Sequence, residues 1–294
     1  MKKVYLSDSG PKVSAAIYGF WRWGSEGMVS SSQMEEIVDH CLSLGINTFD
    51  HADIYGNNAC EELFGKVVKQ KSIKRDEIVL FTKCGLIKKG SNGAQIDHIN
   101  SSARHIRQCV EQSLKNLQTD YIDIFLLDHL DHISFLEETA GTILQLIESG
   151  KIKHFGVANL TASQHQLISS YLRVPVVTSH IELNLLNTTA IDDGRFDFMR
   201  QKYSKPLAWS PLAGGRILNG SDAQALRVRK KLEEVAHKYN ANVEETAVAW
   251  LIKLGALPII GALHKERISN AARAFEIDME HEDWYALYQA AINS

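Results

Sequence analysis

The sequence predicts an α/β protein: a single (β/α)8 TIM barrel over residues 1–294, with an N-terminal hairpin and extra C-terminal helices. Three observations predict it. Short apolar runs alternate with amphipathic helical stretches along most of the chain. Those runs are nearly continuous in apolar residues, as strands covered on both faces of a parallel sheet should be. The first candidate strand, Ala16-Ile17-Tyr18, runs into Gly19-Phe20-Trp21-Arg22-Trp23-Gly24. That turn lacks the G-x-G-x-x-G pattern expected of an open doubly wound sheet.

The remaining strands are expected at 46–50, 78–83, 122–127, 154–158, 176–179, 206–210 and 257–260. Helices are expected at 32–44, which follows a serine cluster suited to N-capping and ends at Gly45, and at 99–117, 133–149 and 163–172. Residues 223–253 read as one long helical connection, 266–274 as a helix, and 283–292 as a C-terminal helix on the barrel exterior. Residues 4–13, turning at Asp8-Ser9-Gly10-Pro11, read as a hairpin that plugs one end of the barrel. Repeated βα units imply right-handed crossovers.

Composition excludes some classes of function. Charged residues make up 23% of the 294-residue chain and the formal net charge is -3, so electrostatics give no reason to expect nucleic acid or membrane partners. No apolar run approaches the ~20 residues a membrane span needs. Met1-Lys2-Lys3-Val4-Tyr5 meets Ser7-Asp8-Ser9 before a long apolar segment forms, so no signal peptide is expected. Cys41, Cys60, Cys84 and Cys109 lack C-x-x-C spacing and are expected as free thiols in a reducing cytoplasm. The expectation is a cytoplasmic monomer or weak oligomer acting on a small molecule.

Functional groups of a parallel barrel sit where strands end and βα loops begin. Asp50, Lys83 and Asp128 each close a strand, Tyr55 follows in the loop after Asp50, and Asn159 follows 154–158. A tyrosine, lysine and aspartate at one mouth make chemical sense. An ammonium beside a phenol favours phenolate and lowers the pKa, an aspartate holds the ammonium, and the tuned phenol can protonate a carbonyl oxygen. Each residue alone is more often structural.

The joint pattern is more specific. Phe49-Asp50-His51-Ala52-Asp53-Ile54-Tyr55-Gly56, followed by Glu61, resembles the F-D-x-A-x-x-Y-G…E signature of the aldo-keto reductase superfamily. With Thr82-Lys83-Cys84-Gly85 it is similar to a bacterial subfamily that carries D-H-A-D-I-Y-G. Gly19 and Trp21, residues 150–159, Ala208-Trp209-Ser210-Pro211-Leu212, Pro258-Ile259-Ile260-Gly261 and Glu266-Arg267 extend the resemblance over nearly the whole chain.

The resemblance implies an NADPH-dependent oxidoreductase that binds NADPH/NADP+ across the barrel mouth and reduces small carbonyl compounds. Tyr55 would be the general acid, Lys83 its partner and Asp50 the brace. Asn159 would hydrogen-bond the nicotinamide carboxamide and Trp209 would stack on the ring. Gly19, His180, Ser210, Leu212 and Gly214 would join them around the cofactor, with Gly215 also permitting close approach. Arg267 would clamp the 2'-phosphate, a role suited to a forked, permanently charged guanidinium. Trp21, Arg22 and Trp23 would wall the substrate pocket, with His129 beside it.

Several positions depart from the family pattern. Asp128 stands where the family keeps a catalytic histidine, with His129 next to it. Three readings are open: a neutral Asp128 that donates to substrate, as in enone C=C reduction; an ionised Asp128 that opposes the oxyanion; or a shift that brings in His129. Strand alternation alone would turn His129 away. Ala158 replaces the family's serine, His180 its glutamine, and Ala262 a further serine before His264 and Lys265. These changes leave open an NADP(H)-binding barrel with weak or no turnover, serving as a sensor or partner subunit. A metal-dependent hydrolase using Asp50-His51-x-Asp53 and Asp128-His129-x-Asp131-His132 is the remaining rival. Adjacent strand residues diverge, so no metal site is expected there.

Overall fold

The computed structural model describes residues 1–24 and 30–293; the expected domain's residues 25–29 and 294 lie outside the described residues. The chain opens with β1 (Lys3–Tyr5) and β2 (Lys12–Ser14), an antiparallel hairpin pairing Val4 with Val13. The barrel begins with β3 (Ile17–Gly19), α1 (Ser31–Ser43), β4 (Thr48–Asp50), α2 (Cys60–Gln70) and β5 (Val79–Cys84). After β5 a small ribbon, β6 (Leu86–Ile87) with β7 (His98–Ile99), lies outside the barrel sheet and leads to α3 (Ala103–Leu117). Then follow β8 (Ile122–Asp128), α4 (Leu136–Glu148), β9 (Ile152–Ala158), α5 (Ala162–Tyr171) and β10 (Val176–Glu182). The short helices α6 (Thr189–Asp192) and α7 (Arg195–Gln201) precede β11 (Pro206–Trp209). A long connection carries α8 (Arg216–Asn219), α9 (Ala223–Lys238) and α10 (Val243–Leu254) to β12 (Leu257–Ile260), and α11 (Lys265–Arg273) and α12 (His281–Ile292) finish the chain.

The eight strands β3, β4, β5, β8, β9, β10, β11 and β12 close in sequence order, each parallel to the next, and β12 pairs with β3 to seal the barrel. The (β/α)8 barrel that the sequence predicts is thus the observed fold.

Local chemistry explains the boundaries. Ser30 caps α1 by accepting from the Gln33 N–H while Gln33 reaches back to the Ser30 backbone, and Gly45 follows with φ 73°. The helix expected at 99–117 begins later, because 98–99 pairs with 86–87 in the ribbon. The helix expected at 133–149 starts at Leu136, leaving Ile133 exposed. The connection expected as one helix at 223–253 is two. Asn240 takes φ 49°, and Asn242 starts α10 through a capping box with Glu245. Helix α2 is an addition to the expected elements, although Cys60, Phe64 and Val67, all buried, show the helical spacing that marks it.

Inside the barrel, Ile17, Phe81, Ile124, Leu126, Val177, Leu207, Leu257 and Ile259 pack together with Leu6 and Val13 of the hairpin. The hairpin therefore closes the N-terminal end of the barrel, as expected, and is tied down by the Lys205 N–H donating to the Leu6 carbonyl. At the other end the inward positions become polar. That reversal places the site.

Candidate active site

Strand alternation aims Asp50, Lys83 and Asp128 into the barrel mouth, because each is the inward member of its strand end. The Lys83 ammonium makes two 2.9 Å contacts to the Asp50 carboxylate and a 2.8 Å hydrogen bond to the His51 carbonyl. Both side chains are buried. Burial works against the Lys83 charge, but Asp50 and Tyr55 outweigh it and hold the ammonium above its ordinary pKa. Burial pushes the Asp50 carboxyl up from its ordinary value, with Lys83 pulling it down.

Tyr55 lies in the loop after β4, with the Lys83 Nζ 4.7 Å from its ring centroid. Lys83 lowers the phenol's pKa as expected, but the net shift is upward. Burial is the larger effect and raises it, so Tyr55 keeps its proton at neutral pH, with Lys83 pulling the other way. Trp21 packs edge-on against Tyr55 at 5.4 Å between ring centroids.

Three of the barrel strands end the same way. His129, Asn159 and Ser210 follow β8, β9 and β11 with φ of 64°, 59° and 56°. These left-handed residues turn the chain at the rim, which costs strain that non-glycine residues seldom bear. For His129 the turn changes the outcome: β8 stops at Asp128, and the left-handed residue swings the imidazole back to the cavity instead of away from it. Asp128 and His129 both face the site, with the Asp128 Oδ1 2.8 Å from the His129 Nδ1.

Burial pushes the Asp128 carboxyl up, but His129, Lys83 and Asn159 together hold it below its ordinary range. Asp128 in turn raises His129, against burial. The pair is an ionised carboxylate beside an imidazole that charges readily. The Asn159 Nδ2 donates to the Asp128 Oδ1 at 2.8 Å, and the Trp209 Nε1 donates to the Asn159 Oδ1 at 2.9 Å. A line of hydrogen bonds therefore runs Trp209, Asn159, Asp128, and the same Asp128 Oδ1 is the atom that stands close to His129.

His180 reaches the mouth because β10 carries a register shift between Val176 and Ser179 against β9. The bulge puts both Val177 and His180 on the inner face, an odd spacing that alternation forbids. The His180 Nε2 has no hydrogen-bond partner among the described residues and lies 3.7 Å from the Asp50 Oδ1; burial keeps the ring neutral.

Of the predicted site residues, Gly19, Trp21, Arg22, Asp50, Tyr55, Lys83, Asp128, His129, Asn159, His180, Trp209, Ser210, Leu212, Gly214 and Arg267 line one continuous cavity. Trp23 does not. Its indole is buried in the core and donates to the Tyr18 hydroxyl at 2.9 Å, because the tight turn after Phe20 folds it under the loop. The ligand-type residues of the metal-hydrolase pattern do not converge either. His51 points outward, stacked on Phe20 at 4.2 Å, and Asp131 is spent on Ser134 and the Ile133 N–H.

Glu244, which sequence reasoning missed, also lines the cavity. It binds the Arg267 Nε at 2.6 Å and the Asn270 Nδ2 at 2.6 Å. In the sequence it is only one of two glutamates in the first turn of α10, where the capping box explains the other. Gly85 has a structural duty at the floor: with φ 133°, a Cβ there would stand 2.3 Å from the Asp128 carbonyl oxygen.

Residues 16–292 match the profile of the aldo/keto reductase family. The chain is 36% identical over 295 residues to the uncharacterized oxidoreductase YcsN of Bacillus subtilis, covering 99% of this chain and 98% of that protein. It is 33% identical to the 6-dehydroglucose reductase of Agrobacterium fabrum and 34% to the oxidoreductase YdhF of Escherichia coli, with the same coverage of 99% and 98% for each. The crystal structure of the thermostable aldo-keto reductase Tm1743 superposes with a TM-score of 0.85 at 23% identity, covering 99% of this chain and 100% of that one. At that identity the superposition speaks to fold.

Proposed function

The chain belongs to the aldo/keto reductase family, and from that premise we propose that it uses NADPH to reduce small aldehydes or ketones, with Tyr55 as the proton donor. The observation that carries the proposal is the buried Lys83–Asp50 pair set against Tyr55 at the barrel mouth.

The cavity suits the cofactor chemically. Gly214 and Gly215 take positive φ, and a Cβ at either would meet no atom within 4 Å beyond its chain neighbours among the described residues, so the backbone there is open to close approach by a pyrophosphate. Arg267 lines the same cavity, where its fork can meet a 2'-phosphate. Asn159 and the partnerless His180 Nε2 offer polar atoms for the carboxamide end, and Trp209, held by its bond to Asn159, offers a flat face. When bound there, a reduced nicotinamide would supply the hydride for the carbonyl carbon.

The chain's own residues do the rest. Tyr55 keeps its proton until negative charge builds on the carbonyl oxygen, then donates it. Lys83 steadies the phenolate left behind, and Asp50 keeps Lys83 charged and aimed. Trp21, edge-on to Tyr55, offers an aromatic face on the substrate side.

Asp128 favours a second reading. An ionised carboxylate near the site opposes an oxyanion, and its depressed pKa gives no support to a protonated acid assisting enone reduction. Turnover would then depend on His129 being charged, and a barrel that binds cofactor with weak turnover is the alternative. Both are tested by titrating NADPH and NADH against tryptophan fluorescence, and by assaying turnover on aryl aldehydes, diketones, enones and 6-dehydroglucose, the last because a relative carries that name. Tight NADPH binding with carbonyl turnover supports the first reading. Binding without turnover supports the second.

A further inference from the structure

Outside the cavity, the fold brings together residues that the sequence keeps apart. Cys84 is the last residue of β5 and, next to inward-facing Lys83, points outward toward α3. His105 and Cys109 lie four apart on α3, on one face of the helix. One ligand atom from each of these three side chains lies within 4.8 Å of the others. The Cys109 Sγ is 3.4 Å from the His105 Nε2 and 3.4 Å from the Asp53 Oδ2.

We propose that Cys84, His105 and Cys109 form a binding site for a thiophilic divalent cation of the zinc class, with Asp53 beside the fourth position. Donors around a tetrahedral zinc stand roughly 3.3–3.8 Å apart, given bonds of ~2.0–2.3 Å. The Cys109–His105 and Cys109–Asp53 spacings of 3.4 Å fall in that range before any ion enters, and Cys84 lies within 4.8 Å. Two thiolates and an imidazole are the donor set that selects zinc over hard cations such as magnesium or calcium. Cys84 is buried, whereas His105, Cys109 and Asp53 are only partly so, which leaves a way in.

The site would join three elements that frame the barrel mouth. Asp53 lies in the loop that carries Tyr55, and its N–H donates to the Lys83 carbonyl at 3.1 Å. A cation there would therefore clamp that loop and the end of β5 to α3.

The test uses the full chain, kept reduced with a phosphine, and reads metal binding instead of turnover. The protein is titrated with Co2+ and then with Zn2+. Expected is one Co2+ per chain, with thiolate-to-cobalt charge-transfer absorption and tetrahedral visible bands, displaced by one equivalent of Zn2+. Cys109→Ser and His105→Gln, each shown by circular dichroism to be folded without metal, should weaken Zn2+ binding at least about a hundredfold. That exceeds the usual cost of losing an outer-shell partner, ~10–100-fold. His98→Gln, on an exposed residue of the nearby ribbon, should leave binding unchanged. No thiolate band, or equal affinity in the folded Cys109→Ser and His105→Gln variants, would overturn the proposal.

Discussion

The Asp128 carboxylate stands 2.8 Å from the imidazole of His129, the next residue in the chain, and both side chains face the cavity. Adjacent residues share a face here only because β8 ends between them and His129 adopts a left-handed conformation. The pair has consequences for pH. His129 is raised from its ordinary 6.5 by Asp128, so it is charged below the raised value and neutral above it. Charged, it cancels Asp128; neutral, it leaves the carboxylate facing the developing oxyanion. Carbonyl reduction should therefore fall as pH rises through the His129 pKa, above 6.5. A pH profile of kcat/KM checks this. His129→Gln should remove that limb and lower the acidic plateau about tenfold, a barrier change of ~1.4 kcal/mol.

Asp128→His should leave NADPH affinity little changed and raise carbonyl turnover at least about tenfold, by removing a carboxylate that Lys83, Asn159 and His129 keep ionised. Steady-state kinetics with a fluorescence titration separate the two effects. No gain in turnover would mean that Asp128 does not limit the reaction.

Lys83→Met removes the partner of a buried carboxylate that makes two 2.9 Å contacts. Breaking a buried pair from one side costs about 3–5 kcal/mol. Urea unfolding should show a loss of that size, and Lys83→Met with Asp50→Asn should recover part of it by removing the stranded charge. Turnover should be lost in both.

Arg267 is held through its Nε by Glu244. Arg267→Gln should raise the Kd for NADPH about tenfold or more while changing NADH little, because only NADPH carries the 2'-phosphate. Glu244→Gln should act in the opposite sense on NADPH by removing a competing negative charge. Paired titrations with both nucleotides decide it.

Much of the fold and site is legible in the sequence, for physical reasons. Apolar runs at strand spacing set the order of the barrel strands, and Asp50, Lys83 and Asp128 can be placed at their ends by alternation. The resemblance then gathers Tyr55, Asn159, Trp209 and Arg267 around one cavity. What escapes depends on departures from regular geometry. The bulge that aims His180 inward and the left-handed turn at His129 are backbone departures that the alternation of apolar residues does not encode. Trp23 misleads because an aromatic loop reads alike whether it faces a pocket or, through its bond to Tyr18, the core. The Cys84–His105–Cys109 cluster joins a strand end to a helix face about 20 residues on, a tertiary contact that cysteine spacing does not encode.

The most direct test of the account is single-turnover oxidation of bound NADPH by an aryl aldehyde, followed by NADPH absorbance, in the parent protein and in Tyr55→Phe. The account predicts oxidation coupled to alcohol formation in the parent. In Tyr55→Phe the rate should fall about 10²–10⁴-fold, the usual contribution of a positioned general acid, with NADPH affinity within about threefold. Equal rates in the two proteins, or no oxidation in the parent with NADPH bound at any pH between about 5 and 8, would contradict it.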